Sequence, residues 1–445
     1  MSNISILVAG AGRSSFSLID YLLKVCRKKN WKLYVGDISL EAAKTKINNQ
    51  PGAEAITFDI ADEANALANI LKVNLVISLL PANLHAPLAR LCLKSKKHLL
   101  TASYVSPEMQ SLHEDAANSD IIFLNECGFD PGIDHMSAMQ VIDNIKAEGG
   151  ELISFESFAG GLIAPETEKD NPWKYKFTWS PRNVVMAGQG TARYIHGGKV
   201  KYISYPQLFQ RITNVQVPGY GAYEGYANRD STLYRELYGL QNIQTLLRGT
   251  LRKAGFCSAW NVFVQLGMTD DTWRMKNLEQ ITHADFMQSF LAHSDELSVE
   301  EKIARALQLN EEGEEIKRLR WSGLFDDTPV GLSEGSPAEV LQHILNKKWA
   351  MQSGETDMVV MLHRFVYQKE GKRYTIQSTL AAEGKDETNT AMAQTVGLPL
   401  GIAAKLILEN KIKARGLVIP VTREFYEPIL NELSQLGIEV KEQYQ

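Results

Sequence analysis

Along the first 125 residues, short apolar runs alternate with stretches whose apolar positions recur every three or four residues. The runs 4–9, 31–36, 55–58, 74–80, 98–102 and 121–125 read as six strands. The stretches 17–28, 40–47, 85–95 and 107–118 read as helices between them. Such alternation predicts an α/β domain with a doubly wound parallel sheet.

Beyond residue 150 the pattern changes. Residues 151–159 read as a strand that ends in Gly160-Gly161, and 173–179 alternate aromatic and polar as in a half-buried strand. An amphipathic helix is predicted over 237–248. Strands at 260–268 and 357–367 then bracket a helix-rich, highly charged stretch, 270–350, whose charges read as solvated faces. Residues 358–367 and 372–382 predict a hairpin across Glu370-Gly371. A long helix follows over 388–408, softly broken at Gly397-Leu398-Pro399. The tail gives a strand at 417–421, a helix at 423–436 and a short strand at 438–440, all expected to return to the first domain. The expected division is a nucleotide domain over 1–127, a substrate domain over 128–269 and 351–387 with a helical insertion at 270–350, and a return segment over 388–445.

The chain turns from one pattern to the other at 121–135, IIFLNECGFDPGIDH. An apolar strand ends, Pro131-Gly132 breaks the chain, and Asp134 is a candidate N-cap for a helix over 135–146. Asp130, Asp134 and His135 therefore stand where strand ends meet the expected interdomain cleft, the place where open α/β sheets hold ligands. The alternative is that these acids only cap the next helix.

Chemistry in the first domain starts at Gly10-Ala11-Gly12-Arg13, a glycine turn between the first strand and its helix. Glycine lets backbone approach a pyrophosphate, and the helix N-terminus favours its charge, so the pattern predicts a Rossmann-type dinucleotide site. Asp37 ends the second strand. It either accepts hydrogen bonds from the adenosine ribose, which favours NAD over NADP, or N-caps the helix at 40–47. Arg13 is the cation that could instead take a 2′-phosphate. Asp59 and Ile60 mark the tip of the third strand near the adenine, and Leu79-Leu80-Pro81 would run beside the nicotinamide ribose. Ser103-Tyr104 is a hydroxyl pair at a strand end. In the second domain, Arg229 lies in a segment dense in Tyr and Gly, and Thr250-Leu251-Arg252 carries a second arginine. Buried arginines need anionic partners, so these two suggest a substrate with several carboxylates. Alternatively, Arg229 pairs with Glu224 or Asp230.

Composition narrows the partners. A net charge of -5 argues against nucleic acid, and no apolar run reads as a membrane span. The N-terminus enters a strand directly and does not read as a signal peptide. Four scattered cysteines read as free thiols in a reducing compartment. Nine histidines form no metal-binding motif, so no metal is expected.

These residues bear a wider resemblance. SLLP at 78–81, TASYVSP at 101–107, GFDPGIDHM at 128–136, GGLIAPE at 160–166 and NPWKYKFTWSP at 171–181 come first. YANRDST at 226–232, LLRGTLRKAGF at 246–256 and TAMAQTVGLPLGIAAKLIL at 390–408 follow. In this order they resemble the L-glutamate-forming saccharopine dehydrogenases, also called saccharopine reductases. The resemblance implies a cytoplasmic homodimer of lysine metabolism that acts on the CH–NH group of a small amino-acid substrate. It implies NAD or NADP as cofactor, with NAD favoured because fungal NADP-using members tend to carry an arginine after the second strand. It places saccharopine contacts at Ser103, Tyr104, Asp130, Arg229, Thr250, Leu251 and Arg252. Asp130 and Tyr104 are the first acid–base candidates, ahead of Asp134 and His135. The chain departs from the family pattern at Ala159, where a cysteine is common, at Ile163, where a proline is common, and at Cys127, where an aliphatic residue is common. A carboxynorspermidine dehydrogenase-like imine reductase and a non-catalytic NAD-binding sensor are the alternative functions.

Overall fold

The computed structural model describes residues 4–444, except for the side chain of Arg13. The chain divides into two compact units, Met1–Gly150 with Leu380–Lys441, and Glu151–Thr379 with Glu442–Gln445.

The first unit is built on a seven-stranded parallel sheet. Its order is Gly416–Val418, Ile122–Leu124, His98–Thr101, Leu75–Ser78, Ser5–Ala9, Lys32–Asp37 and Ala53–Thr57. The central strands Ser5–Ala9 and Leu75–Ser78 are buried along their whole length, as strands covered on both faces must be. All strands run the same way, so Asp37, Ser78 and Thr101 lie at one edge of the sheet. The tail supplies the seventh strand, as expected, because Gly416–Val418 pairs with Ile122–Leu124.

The unit extends beyond residue 127, the boundary expected from the pattern. Helix Ile133–Ala147 packs against helix Arg423–Gln435, and Tyr426 Oη donates to Asp143 Oδ2 at 2.8 Å. Gly132, not Asp134, is the residue before that first helix. Helix Ala391–Leu408 continues through Gly397-Leu398-Pro399 and lies on helix Phe16–Lys29. A Cβ on Gly401 would stand 2.6 Å from the Tyr21 ring, so the close approach of the two helices requires glycine there. By length and composition this 18-residue helix could cross a membrane, contrary to the expectation that no apolar run reads as a span. It is mostly buried within the unit and serves as a core helix.

The second unit holds a nine-stranded mixed sheet. Thr245–Arg252 runs parallel to Glu151–Ile163, which is flanked on its other side by antiparallel Asp357–Lys369. The expected hairpin forms from Asp357–Lys369 and Lys372–Glu383. The last strand, Val440–Tyr444, is on this sheet and not on the parallel one where it was expected.

Three further elements differ from the expected pattern. Residues 260–268 are not a strand. Phe256–Gln265 is a helix whose less buried positions, Ser258, Asn261 and Gln265, recur at helical spacing, a period that a window opening at Trp260 cuts short. The helix expected over 237–248 is only Tyr234–Leu237, because Gly239 at φ 62° turns the chain into the strand Thr245–Arg252. Residues 173–179 form no regular strand. Trp173, Tyr175 and Phe177 are buried, and so are Lys176 between the last two and Thr178 after them. That aromatic run shares one core with Trp260 and Trp349 and with Ile303, Ile316 and Leu341 from the charged stretch. The charged stretch thus contributes its apolar faces to the core of the unit and leaves most of its charges outside, with Arg318 the buried exception.

Candidate active site

In the first unit the site is assembled from strand ends. Gly10 has φ +109°, and a Cβ there would meet the Leu79 carbonyl at 3.1 Å. A Cβ on Gly12 would meet nothing within 4 Å, so the turn faces open space. No side chain caps the turn Arg13–Ser15 or the helix that follows. Ser15 occupies the third position of the glycine pattern because the site is fully buried, and its hydroxyl donates to Gly12 O at 2.8 Å. Bare backbone, open space and an uncapped helix start fit a dinucleotide pyrophosphate.

Asp37 Oδ2 accepts the Ala11 N–H at 2.8 Å and Oδ1 accepts the Ser39 N–H at 3.0 Å. The helix cap is Ser39, whose side chain accepts from Ala42 N. Asp37 therefore does not cap that helix; it ties the glycine turn to the end of the second strand. Phe58 N–H donates to Asp37 O at 2.9 Å, and Asp59 and Ile60 follow directly, half-buried, with Asp59 Oδ1 accepting from Ala61 N. Leu79 and Leu80 are half-buried and Pro81 is exposed at the end of the strand Leu75–Ser78. The side chain of Arg13 lies outside the described residues.

Ser103 and Tyr104 follow the strand His98–Thr101, and Asp130 stands in the turn before helix Ile133–Ala147. The structure brings these together: Tyr104 Oη donates to Asp130 Oδ1 at 3.2 Å. Two residues beneath them escaped the sequence reading. His85 is buried, with Nδ1 2.9 Å from Ser78 Oγ and Nε2 2.7 Å from Ser103 Oγ. Burial pushes its imidazole down to about 4. Glu126 is buried with φ 55°; its Oε1 accepts from Val105 N at 3.1 Å and its Oε2 lies 2.8 Å from His135 Nε2. A buried acid within the motif was the signal for Glu126, whereas no local pattern marks His85. Asp134 and His135 are buried, and Asp134 Oδ1 accepts from Gly132 N at 2.6 Å. They brace the turn that carries Asp130. Cys127 is buried as well, which raises its thiol well above the usual range.

In the second unit, Arg252 is 4 % exposed. Its guanidinium lies 5.0 Å from the Tyr175 ring, 5.2 Å from Phe256 and 5.8 Å from Tyr226. One terminal nitrogen donates to Leu251 O at 2.9 Å, and the buried Nε has no partner. No carboxylate pairs with it among the described residues. A buried cation held only by aromatic faces and one carbonyl is incompletely compensated, and an anion is the missing chemistry.

Arg229, in contrast, is exposed, with φ 51°, and its carbonyl accepts from Arg193 N. The argument from a buried arginine among tyrosines therefore belongs to Arg252, not Arg229. Of the two acids weighed as partners of Arg229, Glu224 accepts from Gly255 N and Cys257 N, and Asp230 pairs with Arg193 at 2.7 Å. Thr250 is half-buried, while the Leu251 side chain is core, so only the backbone of Leu251 can face a ligand. Ala159 is in register with Thr250, and Ala159 and Ile163 are both buried in the strand Glu151–Ile163. Arg248, 4.4 Å over Tyr234, is a second buried arginine that sequence reasoning passed over. Among the described residues no group of three or more His, Cys, Asp and Glu side chains could hold a metal ion.

Residues 6–124 match the saccharopine dehydrogenase NADP binding domain, and residues 128–438 match the saccharopine dehydrogenase C-terminal domain. A saccharopine dehydrogenase [NADP(+), L-glutamate-forming] of Schizosaccharomyces pombe is 34% identical over 99% of this chain and 98% of its own length. An alpha-aminoadipic semialdehyde synthase of Arabidopsis thaliana is 33% identical over 98% of this chain but only 44% of its own length. The solved structure of apo saccharopine dehydrogenase (L-Glu forming) from Saccharomyces cerevisiae superposes with a TM-score of 0.88 at 32% identity, with both chains fully covered. With both halves matched and one relative shared end to end, the chain belongs to the saccharopine dehydrogenase family.

Proposed function

We propose that this chain catalyses the oxidative cleavage of saccharopine to L-glutamate and 2-aminoadipate 6-semialdehyde, or the reverse condensation, in lysine metabolism. It is an oxidoreductase that uses a nicotinamide dinucleotide and acts on a CH–NH bond. The observation that carries the reading is Arg252, a buried guanidinium in an aromatic cage with an unpartnered Nε. Saccharopine is a secondary amine with three carboxylates, so it offers such a cation an anion.

The nicotinamide, when bound, supplies the hydride acceptor. Loss of hydride from the carbon beside nitrogen leaves an imine. Water adds to that carbon, a proton moves to nitrogen, the C–N bond breaks, and glutamate departs. The protein must hold the carboxylates and manage the amine proton. Arg252 binds one carboxylate, with Thr250 and the Leu251 backbone on the same strand. Arg229 is a second carboxylate contact from a loop. Asp130 holds the substrate ammonium and receives its proton, and Tyr104 orients Asp130 through their hydrogen bond. Ser103 contributes a hydroxyl contact.

The cofactor we propose is NAD. The relatives named above are NADP(+) enzymes where their names give a cofactor, and the family model is that of an NADP binding domain. In this chain the second strand ends in Asp37, whose charge favours ribose hydroxyls and repels a 2′-phosphate. The reading also includes a homodimer and a cytosolic setting. The family resemblance supports both, and four free cysteines fit a reducing compartment.

The experiment is turnover of saccharopine by the purified protein with NAD and with NADP, followed by absorbance of the reduced dinucleotide. We expect turnover with a higher kcat/KM for NAD. Preference for NADP would remove the Asp37 argument and leave the enzyme. Dinucleotide binding without turnover of saccharopine would overturn the proposed activity.

A further inference from the structure

His85 is not part of the reaction described above, yet it joins two of its walls. It opens helix His85–Lys94 and is 3% exposed. Nδ1 lies 2.9 Å from Ser78 Oγ, at the end of the strand that leads into Leu79, Leu80 and Pro81. Nε2 lies 2.7 Å from Ser103 Oγ and 3.3 Å from Thr101 Oγ1, at the end of the next strand. Thr101 Oγ1 in turn accepts the Ser103 N–H at 3.2 Å. Both ring nitrogens are thus spent on hydroxyls, and among the described residues no carboxylate pairs with the ring. Burial keeps the imidazole neutral in the physiological range, so one nitrogen donates and the other accepts. Whichever nitrogen carries the proton, the Ser103 hydroxyl loses its free rotation. Its hydrogen is either committed to His85 or turned away from it.

We propose that His85 is a positioning residue, which fixes the direction in which the Ser103 hydroxyl meets substrate and ties that hydroxyl to the strand end preceding residues 79–81. The proposal rests on the reading that Ser103 contacts saccharopine. A hydroxyl whose orientation is set before substrate arrives costs less to order during binding, so removing His85 acts on the saccharopine step and spares the dinucleotide.

The test is a double-mutant cycle with two replacements of the ring. Asn reaches only the Nδ1 position and keeps Ser78; Gln extends to the Nε2 position and keeps Ser103. We expect His85→Asn to lower kcat/KM for saccharopine about tenfold, within the range of coupling between neighbouring residues, with KM for the dinucleotide unchanged. His85→Gln retains activity within about threefold by the same scale. In a Ser103→Ala background, His85→Asn changes activity less than about twofold. An additive cycle, with Ser103→Ala itself impaired, overturns the role of His85 and leaves Ser103 in the site. A silent Ser103→Ala overturns the substrate contact and the proposal with it. Equal losses of dinucleotide affinity and melting temperature in both His85 variants overturn it in favour of a purely structural ring.

Discussion

The hydroxyl of Tyr104 donates to Asp130 Oδ1 at 3.2 Å, although the two residues stand 26 positions apart in different turns of the first unit. The bond joins the end of the strand His98–Thr101 to the turn before helix Ile133–Ala147. It leaves one carboxylate oxygen oriented by a phenol, a geometry suited to holding an ammonium and taking its proton.

Asp130→Asn keeps the size of the side chain and removes its charge. We expect kcat/KM for saccharopine to fall about 100-fold, the scale of lost general acid–base help. Tyr104→Phe should cost about tenfold, because it only releases the carboxylate. Dinucleotide KM should not move in either variant. Steady-state kinetics over a range of pH checks this, and an Asp130→Asn enzyme with unchanged kcat/KM removes Asp130 from the mechanism.

Arg252 separates binding from stability. Arg252→Met keeps an apolar stem against Tyr175, Tyr226 and Phe256 and deletes a buried cation that has no carboxylate partner among the described residues. Replacing buried charge by apolar volume is often neutral or stabilising. The melting temperature should therefore hold or rise, while the KM for saccharopine rises about 100-fold for the loss of a charged hydrogen-bonded contact, roughly 3 kcal/mol. A large drop in melting temperature with unchanged KM would make Arg252 a structural residue.

Burial pushes His85 from 6.5 down to about 4. The unfolded chain then binds the proton that the folded chain refuses, so stability is full above about pH 6.5 and is lost as pH falls toward 4. The full shift corresponds to roughly 3 kcal/mol. Chemical denaturation from pH 7 to pH 4.5 should show a smaller loss for His85→Gln than for the parent chain. An identical pH dependence in the two proteins contradicts the assignment.

The contact of helix Ala391–Leu408 with helix Phe16–Lys29 depends on small residues. Gly401→Val would drive atoms into the Tyr21 ring, which a Cβ already approaches at 2.6 Å. Overpacking of this kind costs about 1–3 kcal/mol. The midpoint of urea unfolding should fall accordingly. The same change at Gly149, where a Cβ meets nothing within 4 Å, introduces no clash; its cost should come only from φ +78°.

Much of this protein is legible in local pattern. The first domain could be read strand by strand because apolar runs and helical spacing are set by which face of each element is buried, and that repeats within a few residues. Gly10 and Gly12 announced the turn by their pattern, and at Gly10 the φ of +109° and the close approach of Leu79 exclude a side chain. The segments that carry the family resemblance are linear, so they too stand in the sequence. What only the tertiary structure decided depends on partners far along the chain. Arg229 and Arg252 look alike as arginines near tyrosines, but only Arg252 is enclosed, by Tyr175, Tyr226 and Phe256. Residues 260–268 read as a strand because the helix begins at Phe256, and a window opening at Trp260 holds too little of the spacing of Ser258, Asn261 and Gln265 to show its period. His85 carries no motif; it became visible when Ser78 and Ser103 closed on its two nitrogens. Pattern records how much water each position meets, while the identity of the opposing atoms is set by long-range packing, and the chemistry of a site lies in those atoms.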